Sequence, residues 1–228
     1  MTDHVPTSPT ATPSPWLRSA GRSAAERIAA ALGLVAVAPI LAICAIVVRL
    51  ESRGGAFYRQ IRVGRDGRPF RIVKLRTMVA DAEADSGPVW SVGHDPRVTA
   101  IGRFLRRSHL DELPQLWNVV RGEMSLVGPR PERPVFTERL ARELPRYAQR
   151  HRARPGITGL AQISQGPDAS VDDVARKLAL DLRYLEAATP WLDVLILART
   201  FLPGPPPRLP ARRSGGTAPT RREPASAS

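Results

Sequence analysis

The chain is poor in cysteine, lysine and aromatic side chains. A single cysteine, Cys44, rules out an intramolecular disulfide and a cysteine-ligated metal site. Lys74 and Lys177 are the only lysines, although lysine and arginine together number 34. The positive charge is therefore almost wholly guanidinium, whose planar fork binds phosphate and carboxylate through two parallel hydrogen bonds. Aromatic residues make up 5% of the chain, too few to suggest a platform for stacking unpaired bases. His94, His109 and His151 are not spaced as a metal-binding set. The first fifteen residues lack the basic stretch that precedes the apolar core of a signal peptide. They hold Pro6, Pro9, Pro13 and Pro15 among serine and threonine, the composition of a disordered tail.

What is present is charge of one sign and one long apolar run. The formal net charge of +13 points to anionic partners: nucleic acid, anionic lipid or phosphorylated substrates. At 228 residues the chain fits one domain with tails. The expected division is a disordered tail over 1–23, a membrane-inserted helix over 24–53, a catalytic domain over 54–202 and a Pro/Arg-rich disordered tail over 203–228. Ile28 to Val48 carries no charged residue, about enough helix to cross a hydrocarbon core of roughly 30 Å. Arg18, Arg22 and Arg27 flank one end, and Arg49, Arg53, Arg59 and Arg62 flank the other. A spanning helix should show asymmetric flanks; here both look cytoplasmic. Pro39, near the middle, removes a backbone hydrogen bond. These features predict a re-entrant hairpin that enters and leaves the membrane on one face.

The rest predicts a mainly helical α+β domain with a small β-hairpin. Phe57-Tyr58 and Phe70-Arg71-Ile72-Val73 read as strands, joined through the turn signal Asp66-Gly67. Residues 80–96 read as a polar loop broken by Gly87-Pro88 and Asp95-Pro96. Helices are expected over 97–107 and 111–120, the latter with Asp111 as N-cap and Pro114 in its first turn. A polar helix interrupted near Pro145 is expected over 132–150, a loop over 155–159, and helices over 170–187 and 190–201. No internal repeat is visible.

Asp111 and Glu112 are adjacent carboxylates in a cationic stretch, preceded by Arg103, Arg106 and Arg107 and followed by Arg121, Arg130 and Arg133. Acid beside massed arginine suits chemistry on a phosphate: the arginines hold the anion while a carboxylate attacks it or holds a metal. By position alone, an acidic pair at a helix start is usually a cap. The two readings are compatible, because a helix start also gathers the backbone N–H groups that bind phosphate. Neighbouring helical residues point about 100° apart, so the two carboxylates need not share one task. Arg106 and Arg107 also fit a solvated helix face, and Lys74 and Arg76 alternate with Val73 and Leu75 as on any exposed strand. Arg130 stands between Pro129 and Pro131, whose rigid rings fix its direction.

The chain resembles the bacterial sugar transferase family, the monotopic polyprenyl-phosphate phosphoglycosyl transferases that begin polysaccharide assembly. The resemblance runs over roughly 24–201. It rests on Phe57-Tyr58-Arg59-Gln60, the run Val63 to Phe70, Lys74-Leu75-Arg76-Thr77-Met78, and Asp95-Pro96-Arg97-Val98-Thr99. It continues through Ile101 to Arg107, Asp111-Glu112-Leu113-Pro114-Gln115-Leu116-Trp117-Asn118, the run Gly122 to Glu132, and Arg154-Pro155-Gly156-Ile157-Thr158-Gly159-Leu160-Ala161-Gln162. The resemblance implies that Asp111 is the nucleophile and that Glu112 is its partner carboxylate, which binds Mg²⁺. It implies that Lys74, Arg76, Arg106, Arg130 and Arg154 bind substrate. The implied substrates are a nucleotide diphosphate sugar and polyprenyl (undecaprenyl) phosphate, handled at the cytoplasmic face of the inner membrane with membrane lipids as neighbours and no nucleic acid. The chain departs from the family in having Ala38-Pro39 where Ser-Pro is common, and Ile163-Ser164-Gln165-Gly166 where many members carry an arginine. Asp181 and Tyr184 match an Asp-x-x-Tyr element to which the sequence assigns no role. Two other classes stay open: a membrane-anchored basic nucleic-acid-binding protein, and an inactive adaptor that keeps the transferase fold.

Overall fold

The apolar segment forms the longest element. In the computed structural model, which describes residues 11–84, 87, 95–166, 170–202 and 204–207, a short helix α1 (Pro15–Arg18) leads into α2 (Ala20–Glu51). The Ser19 side chain caps the start of α2 by accepting from the Arg22 N–H, and the Ser52 N–H donates to the Val48 carbonyl at its end. The apolar segment is a single helix with Pro39 inside it. At 1.5 Å per residue it is about 48 Å long. One face packs on the domain: Ala30 meets Val119 and Met124, and Leu41 and Val48 meet Ala56, Leu75 and Leu105. The opposite face leaves Ile28, Leu32, Val35, Ile43, Ile46 and Leu50 uncovered, at spacings of three, four or eight residues. Only 11% of its most apolar window is buried, so it is not the core helix of a water-soluble domain.

Strands β1 (Phe57–Val63) and β2 (Pro69–Leu75) form the expected antiparallel hairpin, with Phe57 opposite Leu75 and Val63 opposite Pro69. Asp66 and Gly67 turn the chain at φ 55° and 76°, the left-handed region that glycine enters without steric cost. A second sheet was not expected. Residues 155–159 read as a loop, yet β4 (Gly156–Thr158) pairs in parallel with β3 (Ser125–Val127). Three-residue strands are too short to show alternation, so their pairing leaves little pattern in the sequence. The backbones meet closely at three glycines. A Cβ on Gly128 would lie 2.5 Å from the Arg154 carbonyl oxygen. On Gly156 it would lie 2.1 Å from the Gly128 nitrogen, and on Gly159, 2.2 Å from the Gly128 oxygen.

The remaining helices are α3 (Ala100–Arg107), α4 (Leu116–Val120), α5 (Pro134–Glu143), α6 (Leu160–Ser164), α7 (Val171–Ala187) and α8 (Pro190–Phe201). Thr99, Ser170 and Thr189 cap α3, α7 and α8 with side-chain oxygens. Val127, Leu160, Tyr184, Leu185, Leu192 and Ile196 pack α7 and α8 onto the parallel strands. The architecture is the mainly helical α+β domain expected.

The N-terminal segment departs from the tail expected over 1–23. Ala11 is fully buried and its N–H donates to Gln149 Oε1 at 2.8 Å. The Ser14 N–H reaches the Leu185 carbonyl, and its hydroxyl donates to that of Ala188. Residues 1–10, Pro88, His94 and the Pro/Arg-rich stretch from 208 onward lie outside the described residues.

Candidate active site

Asp111 and Glu112 sit on a 3-10 helix, Leu110–Gln115, that runs directly into α4. Asp111 is not the N-cap expected for an α-helix here. His109 occupies that position in the left-handed conformation (φ 58°), and the chain turns sharply out of α3 into the tighter helix. Pro114 lacks the N–H an α-helical bond back to Leu110 would need. The short 3-10 segment suits it.

Three elements converge on Glu112. Lys74 of β2 donates from Nζ to Glu112 Oε1 at 2.8 Å. Arg130, on the loop after β3, donates from Nη2 to the same oxygen at 2.7 Å. Burial alone would raise the Glu112 carboxyl; Arg130 and Lys74 outweigh it and hold it well below the usual carboxylate range. Asp111 is treated differently. It is 8% exposed, and its carboxylate accepts no hydrogen bond among the described residues. Burial pushes it above its ordinary value, with Lys74 opposing and Glu112 reinforcing the shift. Arg106 lies close enough to feel the Asp111 charge, and its Nε donates to Thr77 Oγ1 at 2.9 Å.

Asn118 fixes Lys74, a role not read from the sequence although Asn118 lies in the same motif as Asp111. Its Oδ1 accepts from the Val73 N–H, and its Nδ2 donates to the Arg71 carbonyl and to Glu123 Oε2. The side chain thus substitutes for a neighbouring strand along β2 and locks α4 to it.

The structure brings Lys74, Arg106, Asp111, Glu112 and Arg130 together and leaves two expected substrate ligands elsewhere. Arg76 reaches back to the end of α2. It donates to the carbonyls of Ser52 (2.7 Å) and Arg53 (2.6 Å), the cationic capping that suits a helix C-terminus. Arg154 donates to Ser23 Oγ at 2.8 Å, near the start of α2. Both arginines brace the apolar helix rather than the carboxylates.

For a metal, the donors present are hard carboxylate oxygens. Mg²⁺ takes one or two carboxylates and completes its shell with water and substrate phosphate; with Lys74 and Arg130 both on Glu112 Oε1, the Glu112 Oε2 atom is the one left for it. Among the described residues no group of three His, Cys, Asp or Glu side chains could hold a metal without such help.

Residues 17–203 match the family model described as bacterial sugar transferase. Over 174 residues, or 76% of this chain, it is 41% identical to the UDP-N-acetylgalactosamine-undecaprenyl-phosphate N-acetylgalactosaminephosphotransferase of Aeromonas hydrophila, covering 41% of that protein. It is 44% identical to the undecaprenyl-phosphate glucose phosphotransferase of Komagataeibacter xylinus, over 79% of this chain and 35% of the relative. It is 43% identical to the UDP-glucose:undecaprenyl-phosphate glucose-1-phosphate transferase of Caulobacter vibrioides, over 76% of this chain and 65% of the relative. The chain thus spans between about a third and two thirds of the length of these relatives. With a matching family model along most of its length and the motif carboxylates gathered beneath a lysine and an arginine, this chain belongs to the bacterial sugar transferase family.

Proposed function

We propose that the chain transfers a sugar-1-phosphate from a nucleotide diphosphate sugar to a polyprenyl phosphate by way of a phosphosugar carried on Asp111. The observation that carries this reading is the difference between the neighbouring carboxylates. Lys74 and Arg130 clamp Glu112, while Asp111 is buried with its oxygens unbonded among the described residues. A carboxylate with free lone pairs and little solvation can attack; one held by two cations cannot do so readily.

In the first step an Asp111 oxygen attacks the sugar-bearing phosphorus. The bond from that phosphorus to the bridging oxygen breaks, and the nucleoside monophosphate leaves with the electron pair. In the second, an oxygen of the polyprenyl phosphate attacks the same phosphorus and the Asp111 carboxylate leaves. Lys74, Arg106 and Arg130 offset the phosphate charge throughout. Glu112 would hold Mg²⁺, which when bound neutralises charge on the transferring phosphate. The names of the relatives, built on undecaprenyl phosphate and UDP-sugars, support the substrate classes.

The way α2 is tied supports the membrane placement in this reading. Near its start, Arg22 is buried and donates to the Val127 carbonyl and the Tyr184 hydroxyl. At its end, Arg76 binds the Ser52 and Arg53 carbonyls. One domain holds both ends, which supports a helix that dips into the membrane and leaves both flanks on the cytoplasmic side.

With UDP-glucose or UDP-N-acetylgalactosamine, undecaprenyl phosphate and Mg²⁺, the unaltered chain releases UMP. Asp111→Asn loses that release by on the order of 10³-fold or more. Release at the unaltered rate removes Asp111 as nucleophile.

A further inference from the structure

The Asp-x-x-Tyr element on α7 lies outside the catalytic cluster, yet one of its residues reaches it through a single intermediary. Asp181 is 2% exposed and accepts from Arg150 Nε at 3.0 Å and Nη2 at 2.8 Å. Arg150 stands within the 3-10 helix Tyr147–Arg152 and is itself 9% exposed. Its Nη1 donates to the Tyr147 hydroxyl at 2.9 Å, and its Nη2 also donates to the backbone carbonyl of Arg130 at 2.9 Å.

That carbonyl is one of three consecutive anchored oxygens. The Pro129 carbonyl accepts from the Gly156 N–H at 2.9 Å, and the Pro131 carbonyl accepts from Arg62 Nη1 at 3.1 Å. Pro129 and Pro131 have no N–H to donate, so the loop is held mainly through its carbonyls. The Arg130 side chain is 47% exposed, with its guanidinium on Glu112. An exposed arginine carries much rotamer freedom, so its aim depends on how firmly its backbone is fixed.

We propose that Arg150, oriented by Asp181, is a positioning residue that fixes the Arg130 backbone so that the Arg130 guanidinium meets Glu112 and the donor phosphate. The proposal rests on the functional reading above for the role of Arg130. Asp181 keeps Arg150 charged and aimed, Arg150 holds the carbonyl, and the loop presents Arg130. Burial of both partners makes the pair stiff, and removing either leaves an uncompensated buried charge.

The test is a double-mutant cycle on UMP release from UDP-glucose and UDP-N-acetylgalactosamine, using the full chain in nanodiscs. Arg130→Ala slows release on the order of 10²-fold, the loss of one oriented cation at a reacting phosphate. Arg150→Lys keeps the charge but not the fork, and slows release by about tenfold or more. If Arg150 acts through Arg130, the double variant is as slow as Arg130→Ala alone, within about threefold. Leu178→Ala, which loosens the same face of α7, lowers the melting temperature, and its rate effect multiplies with that of Arg130→Ala. Multiplying effects for Arg150→Lys overturn the proposal. An unaltered rate in Arg130→Ala overturns the functional reading instead. If Arg150→Lys does not fold, Asp181→Glu, which shifts the counter-charge by one methylene, takes its place in the same cycle with the same two outcomes.

Discussion

Two buried charge clusters in the molecule are built on different rules. Around Arg22, nearly every group has a partner; the Arg22 Nε alone faces Asp193 at ion-pair distance without a hydrogen bond. Its guanidinium meets Glu26 and Asp193, each at 3.2 Å, as well as the Val127 carbonyl and the Tyr184 hydroxyl. Asp193 also accepts from Tyr184 and from the Trp16 indole, and Glu26 accepts from the Ser125 hydroxyl. Around Glu112, Lys74 and Arg130 crowd one oxygen while Asp111 beside it accepts no hydrogen bond among the described residues. A saturated cluster holds elements together; an unsaturated one stands ready for a ligand. The first fastens the apolar helix to α7 and α8, and the second gathers the cations of β2 and of the loop after β3 on one carboxylate.

That contrast breaks if the clusters respond alike to mutation. The largest expected effect is Arg22→Ala, which strands Glu26 and Asp193 and costs about 3–5 kcal/mol of stability. A thermal melt in nanodiscs measures it, and the rate per folded molecule stays close to that of the unaltered chain. Glu112→Gln should do the reverse. It lowers UMP release roughly a hundredfold, about 2.7 kcal/mol of barrier, and, because Asp111 remains beside Lys74 and Arg130, costs less stability than Arg22→Ala. It also weakens the response to Mg²⁺, and an unchanged metal titration would separate Glu112 from the ion. The pH dependence sharpens the point. Asp111 must be ionised to attack, so release falls as pH drops through its raised value. Glu112 contributes to that raise, so the acid limb of Glu112→Gln moves to lower pH. The smallest effect is Tyr184→Phe, which removes one partner from a redundant cluster. It costs about 1–2 kcal/mol of stability and leaves the pH profile in place.

Much of this was legible where local chemistry decides structure. Asp66-Gly67 specifies a hairpin turn, and the polar residues ahead of α7 and α8 mark capped helices. The lone Arg130 between prolines and the Asp111-Glu112 couplet also announced themselves. What escaped the sequence is what depends on approach from afar. Arg76 and Lys74 sit two residues apart in one basic motif, yet only Lys74 reaches a carboxylate. Arg76 lies just past the end of β2, beside the carbonyls at the end of α2, and serves those instead. Arg154 is likewise drawn to the start of α2. The Asp111 N-cap failed because His109 enters the left-handed region, a turn that no pattern of apolar residues encodes. Asp181 acquired a partner only once α7 was laid against the 3-10 helix that carries Arg150.

The three glycines between β3 and β4 invert the usual meaning of an alanine scan. None of Gly128, Gly156 and Gly159 has a positive φ, so backbone freedom is not what they supply. They supply clearance. A methyl group, the gentlest probe at most positions, would here be driven into a main chain that has nowhere to retreat, with Gly128 directly adjoining the proline-arginine-proline loop. Substitutions that look most conservative on paper would therefore be among the most disruptive in the molecule. At Gly128 their damage would surface two residues along the chain, in the aim of the Arg130 guanidinium.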